Sequence, residues 1–397
     1  MVKLRTRLKF LIAVLIISIS VNVAIGYYYS DKYTLTDLFD KFMNTQTTNF
    51  EPIQIPEIYE NQVLALSFEK NVFSKQDFTP WKSELTKKFQ SVFEIPDYDD
   101  IVLMPIEQIS EDEYDEYSLK KYSTSAQDDD KIIFYELKPK DNAKTVLCGD
   151  KICYSTVLMI PGSGNQGALD AINQPSSLSS YYYHQGVAEK LVKSGYMVFV
   201  IENRGWGERA LDVKMNCERP DIYCSGNELH RHLFNLGYNQ YSLQIIDTMQ
   251  LLKHIHHLDY VNNEKVSIAG LSLGGPVSIA VSSISPNVSS TIAASGITSK
   301  YQTGGSGITP GMLKYFDHPD LAASLSPKPL YLSWGLNEKG EFGYEANNQY
   351  SAKIIKNSYK LLDAEEKLLI VIHDEQFNYG HTFEITSLLD FLDNTIG

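Results

Sequence analysis

Val266-Ser267-Ile268-Ala269-Gly270-Leu271-Ser272-Leu273-Gly274-Gly275 is the stretch that decides the architecture. A short β-branched strand runs into Gly-X-Ser-X-Gly, and a helical stretch, Leu273 to Ser283, follows at once. A serine on so sharp a strand-to-helix turn takes strained dihedrals, and the residues two positions to either side collide with the backbone unless they are glycine. Ser272 then projects its hydroxyl at a helix N-terminus. An ordinary glycine-rich turn could carry the same letters, but the flanking strand and helix favour a nucleophile.

Outward from this turn the chain alternates. Lys131 to Leu137, Ser155 to Ile160, Tyr196 to Ile201, Lys265 to Ala269, Ser290 to Ala294, Pro329 to Trp334 and Lys367 to Ile372 read as strands. Val187 to Lys193, Tyr241 to His257, Tyr344 to Leu362 and Thr382 to Asn394 read as helices. Such alternation predicts an α/β fold, with a mainly parallel central sheet and helices on both faces. Before it, residues 31–130 read as a leader region packing on the main domain, 131–397. The leader holds one clear helix, Phe78 to Phe93, in which Trp81, Leu85, Phe89 and Phe93 recur at four-residue spacing. The acid-, serine- and tyrosine-rich run from Glu107 to Asp130, ending in Asp128-Asp129-Asp130, reads as a solvated connection rather than a metal site.

The chain has 397 residues, 43% of them hydrophobic, with 49 acidic against 35 basic side chains. That is enough apolar material for one large or two ordinary domains, and the negative balance disfavours nucleic acid as a partner. Residues 1–30 differ from the rest. Lys3, Arg5, Arg7 and Lys9 precede an apolar run from Phe10 to Val21, and Tyr27, Tyr28 and Tyr29 close the segment. This reads as a signal-anchor, favoured, or as a signal peptide cut after the small residues Ala24 and Gly26. Either route puts the remainder outside the cytoplasm. The cysteines agree: Cys148 with Cys153, and Cys217 with Cys224, are close pairs suited to short disulfide loops, and neither has the CxxC spacing of zinc ligands.

A serine hydroxyl needs a base, and the base needs an orienting acid. In sheets of this kind the order is Ser, acid, His, which leaves His318, His373 and His381. His373 ends a strand and points toward packing; His381, in a glycine-preceded loop between the last strand and the last helix, is the better base. The acid should follow the strand Pro329 to Trp334. Glu338 is preferred, with Glu341 and Asp374 as rivals. The turn Pro161-Gly162-Ser163-Gly164 after strand Ser155 to Ile160 can offer backbone N–H groups, so Ser163 and Leu273 are the expected oxyanion donors. His230, His232, His254, His256 and His257 have no acid or cysteine at ligand spacing, and no metal or other cofactor is expected.

These motifs together resemble the α/β-hydrolase fold, in its acetylxylan-esterase-like and dienelactone-hydrolase-like branch, over residues 76–397. The resemblance rests on MIPGSG (159–164), on Glu202-Asn203-Arg204-Gly205-Trp206-Gly207-Glu208-Arg209 after the strand at Tyr196, on GLSLGG (270–275), and on PKPLYLSWGLNE (327–338) with YGHTF (379–383). Two departures stand out: Pro161 occupies the usual histidine position before Gly162, and Glu338 stands where aspartate is commoner. The resemblance implies a serine carboxylesterase with Ser272, His381 and Glu338 as its triad, acting outside the cytoplasm on small-molecule or carbohydrate esters with short acyl groups. A serine peptidase would use the same machinery, and a noncatalytic binding or adhesion module could keep the scaffold. Tyr301, Met312, Tyr315 and Phe316, within the glycine-rich stretch 297–326, are expected to wall the pocket.

Overall fold

The computed structural model describes residues 64–164, 167–174, 184–210, 224–297, 311–338, 348–375 and 380–397. The apolar segment 1–30 and the first third of the leader, residues 31–63, lie outside them. Among the described residues no helix is long and apolar enough to cross a membrane.

Ten strands of the described residues make one sheet. They are β1 (Ile106–Glu113), β2 (Tyr117–Ser125), β3 (Lys131–Pro139), β4 (Thr145–Cys148), β5 (Lys151–Ile160), β6 (Met197–Ile201), β7 (Val261–Leu271), β8 (Ser290–Ala294), β9 (Leu330–Gly335) and β10 (Leu368–His373). The order across the sheet is β1-β2-β3-β6-β5-β7-β8-β9-β10, with β4 as a hairpin partner of β5. From β6 to β10 every neighbour is parallel. β1, β2 and β3 run antiparallel and join the parallel part through β3 and β6.

Side chains alternate across a strand, and here both faces are buried. In β5, Leu158 and Ile160 enter one apolar layer and Val157 and Met159 the other; in β6, Met197, Phe199 and Ile201 oppose Val198 and Val200. The long helix α1 (Lys75–Phe93) lies in the first layer through Phe78, Trp81, Leu85, Phe89 and Phe93, all buried. Full burial of a phenylalanine such as Phe89 is worth roughly 1.5–3 kcal/mol, so four aromatic residues of α1 tie it firmly to the core. Phe316 packs its ring against Phe89 and Phe93, and Met312 joins the same layer. The expectation that these two wall a pocket is therefore corrected: they are core, while Tyr301 lies outside the described residues. Tyr315 carries the Lys88 ammonium 4.5 Å from its ring centroid.

The run from Glu107 to Asp130 is not a solvated connection but two strands and a turn. β1 is an edge strand with almost every residue exposed, so it has no apolar face for alternation to reveal. Its charges find partners across the ladder instead, as where Glu111 faces Lys120 at 3.3 Å. Asp128 and Asp130, in the turn before β3, reach 2.6 Å from Arg204 and Arg209 respectively, and both arginines also hold the buried Asp247 at 2.8 Å. The aspartate run thus anchors the segment that follows β6. The helix expected over Tyr344 to Leu362 is described from a π-turn at Asn348–Ala352 through a helix at Lys353–Leu361.

Candidate active site

Parallel strands end on one edge, and that edge gathers the predicted chemistry. β7 passes through Leu271 into Ser272, and the helix α2 (Gly274–Ile284) begins two residues later. Ser272 has φ +54°, the left-handed region that costs a residue with a Cβ about 1–3 kcal/mol. Its neighbours have no room for a side chain. A Cβ on Gly270 would lie 1.9 Å from the Gly274 carbonyl oxygen, and one on Gly274 would lie 2.1 Å from that of Ile160. Hydrogen bonds hold the turn from both sides: Ser272 N–H donates to the Ala294 carbonyl at 2.9 Å, and Gly275 N–H to that of Ser272 at 3.0 Å. Ser272 is nearly buried.

Two strands along, β9 ends at Gly335 and β10 at His373, paired in register. At about 4.8 Å per strand this puts the β9 terminus on the order of 10 Å from the elbow, within reach of a loop side chain. Glu338 turns back on its own strand: Oε2 accepts from Gly335 N–H at 2.8 Å, while Oε1 lies 2.6 Å from His381 Nδ1. The carboxylate is almost wholly buried and the imidazole is partly open, at 2% and 17% side-chain exposure. The two loops meet at paired glycines, since a Cβ on Gly335 would come within 2.5 Å of Gly380 Cα. With Nδ1–H directed at Glu338, the tautomer leaves the Nε2 lone pair able to accept a proton.

The rival residues are placed differently. His373 is buried with neither ring nitrogen hydrogen-bonded, and burial holds it below the ordinary imidazole value. Burial pushes His318 down to about 4. Asp374 directly follows β10, and Glu341 lies outside the described residues. No group of three or more potential metal ligands occurs among the described residues. Cys148 and Cys153 form a disulfide across the β4–β5 hairpin; Cys217 falls outside the described residues, so the second expected pair does too. A shallow depression bounded by Phe68, Glu69, Val72, Asn357, Lys360 and Leu361 contains neither nucleophile nor imidazole.

The turn after β5 is held by His184 and Asp170, which the sequence did not single out, and by Asn203 of the stretch that follows β6. Gly162 N–H donates to His184 Nε2 at 2.7 Å, and His184 Nδ1 lies 2.7 Å from Asp170 Oδ2, which also accepts from His184 N–H at 3.0 Å. Both side chains are 1% exposed. Asn203 donates its amide to the Pro161 carbonyl. Beneath them the Glu202 carboxylate accepts from Ala168 N–H at 3.2 Å and from Glu208 N–H at 3.4 Å. Gly167 and Gly207 enclose it so closely that a Cβ on either would overlap it, and burial pushes its carboxyl up to about 8. Leu273, the residue from which α2 starts, has an N–H without an intrahelical acceptor. No local pattern marks His184 or Asp170, because their partner is a backbone amide 22 residues from the histidine.

A model of the Abhydrolase family matches residues 57–380. No curated protein matches the sequence. Among solved structures, a candidate acetyl xylan esterase from Bacteroides fragilis superposes with a TM-score of 0.64 at 17% identity, covering 80% of this chain and 80% of its own. A methylesterase gives 0.60 at 14% identity over 82% and 66% of the two chains. A glucuronoyl esterase from Solibacter usitatus gives 0.56 at 13% identity over 85% and 100%. At such identities the likeness is one of fold.

Proposed function

Because the chain belongs to the Abhydrolase family, we propose that it is a serine-dependent carboxylic ester hydrolase with Ser272 as nucleophile, His381 as base and Glu338 as orienting acid. The observation that carries this reading is the 2.6 Å contact of Glu338 with His381 on the sheet edge where the strained Ser272 turn stands. Ser272 Oγ attacks the ester carbonyl carbon as His381 Nε2 takes its proton. The tetrahedral oxyanion is held by the N–H groups of Ser163 and Leu273. Collapse breaks the C–O bond to the alcohol, which leaves with the proton from His381. Water, activated by the same imidazole, then releases the carboxylic acid and restores Ser272.

Carbohydrate esters with short acyl groups are the proposed substrates, supported by neighbours in fold named as acetyl xylan and glucuronoyl esterases. An extracytoplasmic site of action, membrane-anchored through residues 1–30 or secreted, is supported by that segment and by the Cys148–Cys153 disulfide. Turnover of 4-nitrophenyl acetate by the wild type and by Ser272→Ala tests the chemistry. We expect the variant to lose about 10⁴–10⁶-fold in kcat, as when a serine nucleophile is removed. Equal rates for the two proteins would remove the esterase reading, and cleavage of an anilide in preference to the ester would turn it toward a peptidase.

A further inference from the structure

We propose that His184 and Asp170 are positioning residues that fix the oxyanion turn, and that they do so only while the His184 imidazole is neutral. The inference rests on the esterase reading above. Its basis is the direction of each hydrogen bond. Gly162 N–H can only donate, so His184 Nε2, 2.7 Å away, accepts and carries no proton. The ring proton therefore sits on Nδ1, directed at Asp170 Oδ2 at 2.7 Å. That same oxygen holds the His184 backbone N–H at 3.0 Å, so Asp170 fixes both the tautomer and the place of the ring.

The consequence falls on the turn. The Gly162 amide is spent on the imidazole, so it is not an oxyanion donor, and its peptide plane is pinned from below. The Pro161 carbonyl at the other end of that plane is held by Asn203. With one peptide fixed at both ends, the next N–H in the chain, that of Ser163, starts from an anchor set by side chains remote in sequence. A proton added to His184 Nε2 would set donor against donor at Gly162 and release the turn. Both partners are buried at 1% exposure, so water is poorly placed to substitute.

The test compares an ester with its thionoester, in which sulfur replaces the carbonyl oxygen that the oxyanion donors hold. In His184→Phe, which keeps a ring and removes the acceptor, kcat should fall about ten- to a hundredfold with KM within twofold. That is less than the 10²–10³ lost when an oxyanion donor is removed outright. The preference for ester over thionoester should shrink by a similar factor, and His184→Gln, whose carbonyl can accept from Gly162, should recover most of both. Unchanged kcat in His184→Phe overturns the proposal, as does a lower kcat with the ester-to-thionoester ratio intact, which marks a merely structural role. Should His184→Phe not fold, the wild-type imidazole ¹⁵N spectrum decides at neutral pH: an Nδ1-protonated His184 supports the assignment, and a proton on Nε2 overturns it. A wild type as inert as Ser272→Ala would instead strike the esterase reading itself.

Discussion

The elbow at Ser272 and the turn at Gly162 face the same edge of the sheet but are built in opposite ways. The elbow is made by contiguous backbone: Gly270 is pressed against Gly274, Gly275 against Gly296, and two backbone hydrogen bonds set the serine in its left-handed conformation. The turn is made by distant side chains: His184 under Gly162, Asp170 under His184, Asn203 on Pro161 and Glu202 under Ala168. A site can thus have one half fixed by lack of space and the other by polar partners. The first half tolerates no added atom, and the second no lost or displaced proton.

The sharpest way to break this division is to convert a polar partner on the Ser272 side. Glu338→Gln keeps the shape of the acid but lets an amide N–H face His381 Nδ1, which turns the imidazole to the tautomer with its proton on Nε2. By analogy with the same change in a Ser-His-Asp triad, kcat should fall about 10⁴-fold at neutral pH with little change in KM. A loss below tenfold would mean that Glu338 is not the orienting acid, and Glu341 and Asp374 would be tested next.

A smaller effect is expected where the two halves touch. A Cβ on Gly274 would lie 2.1 Å from the Ile160 carbonyl oxygen and 2.9 Å from that of Pro161, so Gly274→Ala pushes the elbow directly against the Gly162 turn. Both contacts are backbone, and neither can swing away. Overpacking of this kind costs about 1–3 kcal/mol. Urea unfolding should show that loss, and kcat should fall more than KM changes. Wild-type stability and turnover in Gly274→Ala would mean that the turn yields more easily than its hydrogen bonds imply.

The same division explains what could be read from the sequence. The parallel strands and the elbow were legible because β-branched runs and closely spaced glycines are local signals; the strand from Ser290 to Ala294 and the helix from Val187 to Lys193 have the bounds expected. Glu338 and His381 could be nominated by their places after β9 and β10, although which acid meets which imidazole depends on the approach of Gly335 to Gly380. β1 was illegible, since an exposed edge strand of charged residues needs no apolar alternation. The aspartates at 128 and 130 looked solvated because their arginine partners lie more than seventy residues away. His184 was one histidine among nine, and only the fold brings the Gly162 amide to it.

Glu202 gives the mildest and most diagnostic contrast, because it makes the turn side sensitive to pH while the elbow has no titrating support. Burial raises its carboxyl to about 8, with the nearby Glu208 adding to the rise, while the Ala168 and Glu208 amides and Arg209 oppose it. An unfolded glutamate titrates near 4.3. Between these values the folded chain binds a proton that the unfolded chain releases, so the stability from this group is fully present below about pH 4 and declines as pH rises through about 8. A change on the order of a few kcal/mol is the upper bound. Thermal unfolding of the wild type should therefore lose midpoint from pH 5 to 8 more steeply than that of Glu202→Gln, whose amide cannot ionise. Parallel curves for the two proteins would show that the cradle of Gly167, Gly207 and the Ala168 amide holds the charged carboxylate without penalty.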